Sequence, residues 1–212
     1  MQQGRQKKGN LVFRSYMRVR KAVPDDMESV YQIASSLGKG DRDPAQGFLV
    51  DNYASRRDHY LEKFTSLVHR LDHFYVAENV SGIHKSRIVG FLIAYTRSQW
   101  LEDNPTWLED VYWHPEFDSK RLKKFAVVDK TAIQAQLTGH GIGSELYKRL
   151  LADLAEKGIT TILAETVISP VPNFASLAFR KKQNYTLAGI RYEPYAGEVI
   201  TDLIYYKETG DS

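Results

Sequence analysis

Apolar positions along this chain switch between a two-residue and a 3.6-residue rhythm, and each switch marks the edge of an element. Arg18 to Val23 alternates as a short strand. Pro24-Asp25-Asp26 then opens a helix with acids in its first turn, and Met27, Val30, Tyr31, Ala34 and Leu37 form its apolar face. Gly38 to Pro44 breaks that helix into a loop. A longer helix is predicted over 53–71, with Ser55-Arg-Arg-Asp58 as a capping box and Tyr60, Leu61, Phe64, Leu67, Val68 and Leu71 on the helical period. Phe74 to Glu78 and Ile88 to Thr96 read as an antiparallel hairpin, joined by a polar loop carrying Gly82.

Residues 97–124 are less regular. Phe125 to Ile133 resumes strand character, and Glu145 to Gly158 is amphipathic, with Leu146, Leu150, Leu151 and Leu154 on one face and Gly158 at the C-terminal cap. Ile159 to Val167 is a fifth strand reached by that crossover helix, so it should lie parallel to the fourth. A short helix over 173–183 and strands near Tyr185–Arg191 and Val199–Lys207 complete the chain. The expected architecture is α/β of the α+β type: a mixed, mostly antiparallel sheet of about six to seven strands, helices on both faces, and one parallel pair at the fourth and fifth strands.

Composition narrows the class. With 212 residues, 42% hydrophobic and 26% charged, the chain reads as one folded domain over 17–212 with an insertion at 97–124, rather than a disordered or fibrous chain. The absence of cysteine removes disulfides, thiolate metal sites and a cysteine nucleophile together, and no histidine–carboxylate cluster has ligand spacing, so no metal is expected. Apolar stretches such as Ile88 to Tyr95 are strand-sized and too short to span a membrane, and no apolar leader opens the chain. A cytoplasmic location without membrane contact is the expectation. Net charge is only +3, so nucleic acid is not an expected partner of the whole molecule. Residues 1–16 form a basic, flexible extension; Arg5, Lys7, Lys8, Arg14, Arg18, Arg20 and Lys21 meet no acid before Asp25. Such an arm leaves RNA or ribosome association open.

The chemistry is concentrated in Leu137-Thr-Gly-His-Gly-Ile-Gly-Ser144, which runs into the amphipathic helix. A glycine-rich turn at a helix start presents several backbone N–H groups at the positive end of the dipole, a ready anion site. A dinucleotide fingerprint is conceivable from Gly-x-Gly-x-x-Ser and Glu165, but the loop sits too far along the chain, with one βαβ crossover after it. No Gly-Lys-Ser/Thr closes a Walker A motif.

The block of strand, glycine loop, helix and strand resembles motif A of the GNAT superfamily of N-acetyltransferases, whose loop runs Gln/Arg-x-x-Gly-x-Gly/Ala; here it falls on Thr138-Gly139-His140-Gly141-Ile142-Gly143. Asn173-Phe-Ala-Ser176-Leu-Ala-Phe179-Arg180-Lys-Lys-Gln-Asn184-Tyr185 is similar to motif B, and the element order from Arg18 to Lys207 matches as well. The resemblance implies acetyl-CoA as the cofactor. It implies pantetheine beside Thr131, Ala132 and Ile133, pyrophosphate on the N–H groups of Thr138, Gly139, His140, Gly141, Ile142, Gly143 and Ser144, and further contacts from Asn173, Ser176, Phe179 and Arg180. For Asn173, a helix N-cap role is equally open. Three departures stand out: Thr138 replaces Gln or Arg, Asn184-Tyr185 replaces Gly-Phe, and Arg180 stands where many relatives carry the tyrosine that protonates the leaving thiolate. Arginine is a poor proton donor but can stabilise a thiolate by charge.

The implied reaction is direct attack of a primary amine on the thioester, with an oxyanion donor at a backbone N–H near Ile133. The strand position at which some relatives carry a glutamate base is Val127 here. Asp129, two residues on and on the same strand face, is the first candidate base and Glu165 the second. Acceptor recognition is expected from the loop between the first two helices and from residues 97–118, which hold Trp100, Trp107 and Trp113, the three tryptophans of the chain, and six acids including Glu109 and Asp110. Carboxylates and indole faces suit a cation, such as a small amine, a polyamine, or a lysine or N-terminal amine of a peptide. Alternatively, the tryptophans anchor a lid or a homodimer contact. An acyl-CoA-binding sensor without transferase activity is the other reading, since both usual catalytic side chains are replaced.

Overall fold

The computed structural model describes residues 17–38, 42–80 and 87–210; the basic extension 1–16, the loop at Gly82 and part of the loop after Gly38 lie outside the described residues. Eight strands occur among the described residues: β1 (Met17–Lys21), β2 (His73–Asn79), β3 (Arg87–Thr96), β4 (Val111–Trp113), β5 (Phe125–Ile133), β6 (Thr161–Ser169), β7 (Thr186–Tyr195) and β8 (Glu198–Glu208). The helices are α1 (Met27–Leu37), α2 (Arg57–Arg70), α3 (Arg97–Asp103), α4 (Trp107–Asp110), α5 (Ile142–Glu156) and α6 (Phe174–Lys182). One sheet has the order β1-β2-β3-β5-β6-β8-β7-β4. Among the described residues only β5 and β6 run parallel; α5 makes the crossover between them.

Two local expectations are corrected. Ser55 does not cap α2: its hydroxyl donates to the Asn52 carbonyl at 2.6 Å within a separate turn, and Arg56, at φ −146° and ψ 76°, stands between that turn and the start of the helix at Arg57. The eighth strand, β4, comes from the segment read as irregular, and it pairs antiparallel with the edge of β7.

The sheet divides the core in two. On one face α1, α2 and the tryptophan segment cover Phe91, Ile93, Val127, Leu163 and Ile204; on the other, α5 covers Tyr75, Leu92, Val128, Ile162 and Ala164. The alternation of strand side chains sends neighbours to opposite faces, so the two clusters interleave along the same strands.

What positions the site is a defect at the centre. In the β3–β5 ladder Ala94 pairs with Val128 and Ile93 with Lys130, leaving Asp129 as an extra, unpaired residue. Such a bulge bends its strand. The β5–β6 pairing ends at Val128–Ala164, although β5 continues to Ile133 and β6 to Ser169. The two parallel strands therefore splay, and a slot opens through the middle of the sheet.

Candidate active site

A cavity of about 340 Å³ occupies this slot and reaches both faces of the sheet. On the α5–α6 side its walls include Thr131, Ile133, Thr138, Gly143, Phe179 and Arg180; on the other side they include Asp51, Asp129, Lys130, Glu165, Glu193 and Asp202. Among the residues singled out from the sequence, Ala132, Asn173 and Ser176 also line it.

The glycine loop has the shape its composition calls for. Gly139 and Gly141 have φ of +85° and +87°, and Gly141 directly precedes α5, whose first-turn N–H groups lack intrahelical acceptors. Gly143 lies against Phe179: a Cβ there would sit 3.3 Å from the phenyl ring. Ile142 is buried in the core, His140 Nδ1 lies 3.2 Å from the carbonyl oxygens of Leu137 and Thr138, and the Ser144 hydroxyl accepts from Gln183 Nε2 at 3.1 Å. Asn173 caps α6 by accepting from the Ser176 N–H at 3.1 Å, while its Nδ2 donates to the Phe48 carbonyl at 3.1 Å. That side chain ties the 42–51 loop to the cavity rim.

Arg180 is buried without a carboxylate among its partners. Its Nη1 donates to the Tyr147 hydroxyl at 2.5 Å, its Nε contacts Thr166 Oγ1 at 3.4 Å, and its guanidinium lies 5.1 Å from the Tyr185 ring centroid. Thr131 Oγ1 and the Tyr185 hydroxyl are buried without a hydrogen-bond partner. This half of the cavity carries fixed positive charge from Arg180 and from the start of α5.

The opposite half is acidic. The bulge puts Asp129 and Lys130 on one side of β5, where both carboxylate oxygens of Asp129 accept from Lys130 Nζ at 2.9 and 2.7 Å. Burial opposes the Lys130 charge, but Asp129 and Asp51 outweigh it and hold the ammonium above its ordinary range. Burial also works against the Asp51 charge, yet Lys130 and the Tyr195 hydroxyl, which donates to Asp51 at 2.6 Å, keep that carboxyl below its ordinary range. Glu165 Oε1 accepts from Trp107 Nε1 at 2.7 Å and Arg191 Nη1 at 3.2 Å. Burial nonetheless pushes the Glu165 carboxyl up, aided by Glu193 and Asp129. Asp202 is 4% exposed, and burial, with Glu165 and Glu193 nearby, pushes its carboxyl up to about 7.

The tryptophan segment does not line the cavity. Trp100 and Trp107 are 6% and 1% exposed, stacked edge to face at 5.8 Å, so their faces are filled by core neighbours rather than open to a cation. Glu109 and Asp110 are exposed at the surface, outside the cavity wall. The segment acts on the site through one bond, from the Trp107 indole to Glu165.

No protein-family model and no curated protein matches the chain. Solved structures do. An N-acetyltransferase from Staphylococcus aureus Mu50 aligns at TM-score 0.58 with 17% identity, covering 91% of this chain and 98% of that one. YncA from Salmonella typhimurium, described as a putative acetyltransferase with its cofactor acetyl-CoA, aligns at 0.58 with 12% identity over 93% and 96%. The Drosophila melanogaster polyamine N-acetyltransferase, which forms N-acetylagmatine, aligns at 0.59 with 12% identity over 91% and 99%.

The chain shares its fold with these N-acetyltransferases. Of the residues that line the cavity, the sequence pointed to the glycine loop, β5 and the α1–α2 loop that carries Asp51, but did not single out Asp51 itself, Tyr147, Glu193 or Asp202. A signal for Asp202 was present in the pattern: Ile200, Asp202 and Ile204 alternate on the buried face of β8, where an isolated carboxylate breaks the apolar rule.

Proposed function

We propose that the chain is an acetyl-CoA-dependent N-acetyltransferase acting on a primary amine, with residues 17–212 as its catalytic domain. The observation that carries this reading is a single cavity crossing the sheet at the β5–β6 splay, cationic on one side and acidic on the other. The residues on the cationic side fit the cofactor: a β5 edge that no longer pairs with β6 beyond Val128, glycines that allow close approach of a pyrophosphate, and a helix N-terminus facing its charge. Thr131, Ala132 and Ile133 would flank the pantetheine arm, the Thr138–Ser144 loop would seat the pyrophosphate, and Asn173, Ser176, Phe179 and Arg180 would border the thiol end.

Bound acetyl-CoA supplies an acetyl thioester whose C–S bond is exchanged for a C–N bond to the amine. The chain's own task is charge handling. Arg180 stabilises negative charge on the departing sulfur, since its guanidinium is buried and its charge is not cancelled by a carboxylate. The carboxylates across the slot attract a cationic acceptor and lower its charge by accepting one proton.

The test is thiol release from acetyl-CoA with a panel of primary amines: agmatine, putrescine and a peptide with an N-terminal alanine. Saturable release with at least one amine supports the proposal. Calorimetric binding of acetyl-CoA with no release for any amine would replace it with the acyl-CoA sensor reading. Neither binding nor release overturns both.

A further inference from the structure

Five carboxylates line the cavity, and their hydrogen bonds separate them: Asp51 accepts from the Tyr53 and Tyr195 hydroxyls, and Glu193 from Arg191. Asp129 spends both oxygens on Lys130. Glu165 Oε1 already accepts from Trp107 and Arg191. Asp202 has neither kind of partner. Arg191 stands directly across from it in the β7–β8 ladder, but its Nη1 turns to Glu165 at 3.2 Å and Glu193 at 3.0 Å. Among the described residues no side chain or backbone N–H donates to the Asp202 carboxylate, and the residue, 4% exposed, lines the cavity.

A carboxylate that lines the cavity and receives no hydrogen bond from the protein is free to take one from a ligand there. From the deduced transferase reading, we infer that Asp202 receives the ammonium of the acceptor amine and takes its proton. In that step one N–H bond of the ammonium breaks and one O–H bond forms on Asp202, leaving a neutral amine and a carboxylic acid. The groups facing Asp202 from the packed elements are Glu165 on β6 and Arg191 and Glu193 on β7; Asp51, Asp129 and Lys130 lie farther round the same cavity. The two nearby acids favour a cation at this spot and raise proton affinity there, which matches a base that works near neutral pH. Sequence-based candidates Asp129 and Glu165 become neighbours that set the field instead.

Asp202→Asn and Asp202→Glu, compared with the parent, test the assignment. The expected kcat/KM for an accepted amine falls by about 10²–10³-fold in Asp202→Asn, with the KM for acetyl-CoA unchanged. The parent's log kcat/KM should rise with pH through a break near 7; that break should vanish in Asp202→Asn and return, displaced, in Asp202→Glu. A rate within about threefold of the parent with the break retained would overturn the inference. Two readouts need no turnover. Carboxyl carbon-13 NMR should show Asp202 titrating near 7, and a titration in the ordinary acid range would refute the assignment. Calorimetry with putrescine should show weaker binding to Asp202→Asn, and equal affinity would remove the ammonium contact. If the parent binds acetyl-CoA but acetylates no amine, the transferase reading falls, while these two measurements still decide the role of Asp202.

Discussion

His73 offers a quantitative test of the packing beneath β2. The residue is fully buried; its Nδ1 lies 2.9 Å from the Tyr75 hydroxyl, which donates its own proton to Asp153 Oδ2 at 2.7 Å. The Tyr75 oxygen must therefore accept from His73, which fixes the proton on Nδ1. Nε2 is left buried without a partner, so a second proton there has no acceptor. Burial, reinforced by Lys157 and Lys21 against Asp72 and Asp153, lowers the imidazole from 6.5 to about 4. Between those values the unfolded chain binds a proton that the folded chain refuses. Stability is then complete above the unfolded value and falls as pH drops, by about 1.4 kcal/mol per pH unit across the window. Between about pH 7 and about pH 4.5 the loss from this residue alone is about 2 kcal/mol. Carboxylates contribute to the same limb, so the assay is urea unfolding of the parent and His73→Phe at both pH values. The variant should lose about 2 kcal/mol less than the parent. Equal losses in the two proteins would show that His73 titrates as an ordinary histidine and would refute the reasoning.

Two further predictions concern the cationic half of the cavity. Gly143→Val places a branched side chain where even a Cβ would meet Phe179 at 3.3 Å and Ile133 at 3.6 Å. Overpacking of this kind costs about 1–3 kcal/mol, and displacement of Phe179 into the slot should weaken acetyl-CoA binding by about tenfold or more in calorimetry; an unchanged Kd would disprove it. Arg180→Met removes a buried charge that no carboxylate pairs with, so the CoA-free protein should unfold at equal or higher urea concentration while acetyl transfer falls by about tenfold or more. A strongly destabilised variant would make Arg180 a structural residue instead.

Much of the fold was legible because its signals are local. Phe125–Ile133 has the bounds its hydrophobicity predicted, the crossover through α5 dictated the parallel β5–β6 pair, and Gly139, Gly141 and Gly158 all adopt the positive φ that their turns require. Asn173 caps α6 as its position before the helix suggested. The short strand β4 was hidden because three residues carry no readable period, and its pairing with β7 is decided by a partner about 80 positions away. The bulge at Asp129 was hidden for a related reason. A bulge is a property of register between two strands, and neither β3 nor β5 declares it alone.

The candidate site divides along the same line. Its cofactor half lies mostly on one continuous block, β5, the glycine loop and α5, with α6 soon after, so a linear motif can describe it. Its acidic half is assembled from Asp51 in a loop, Asp129 on β5, Glu165 on β6, Glu193 on β7 and Asp202 on β8, which only the folded sheet brings together. The tryptophan segment drew attention through composition, yet a cluster of large aromatic rings beside short helices is a core-forming pattern, and Trp107 reaches the site only through its N–H. The better signal was smaller: one carboxylate set between Ile200 and Ile204 in the buried middle of a strand. Burying it costs stability that Ile or Val at the same position would not, and local rules are broken in this way where a site requires the charge. Asp202 is that residue: among the described residues nothing donates to its carboxylate, which is why the proposed ammonium contact is tested there.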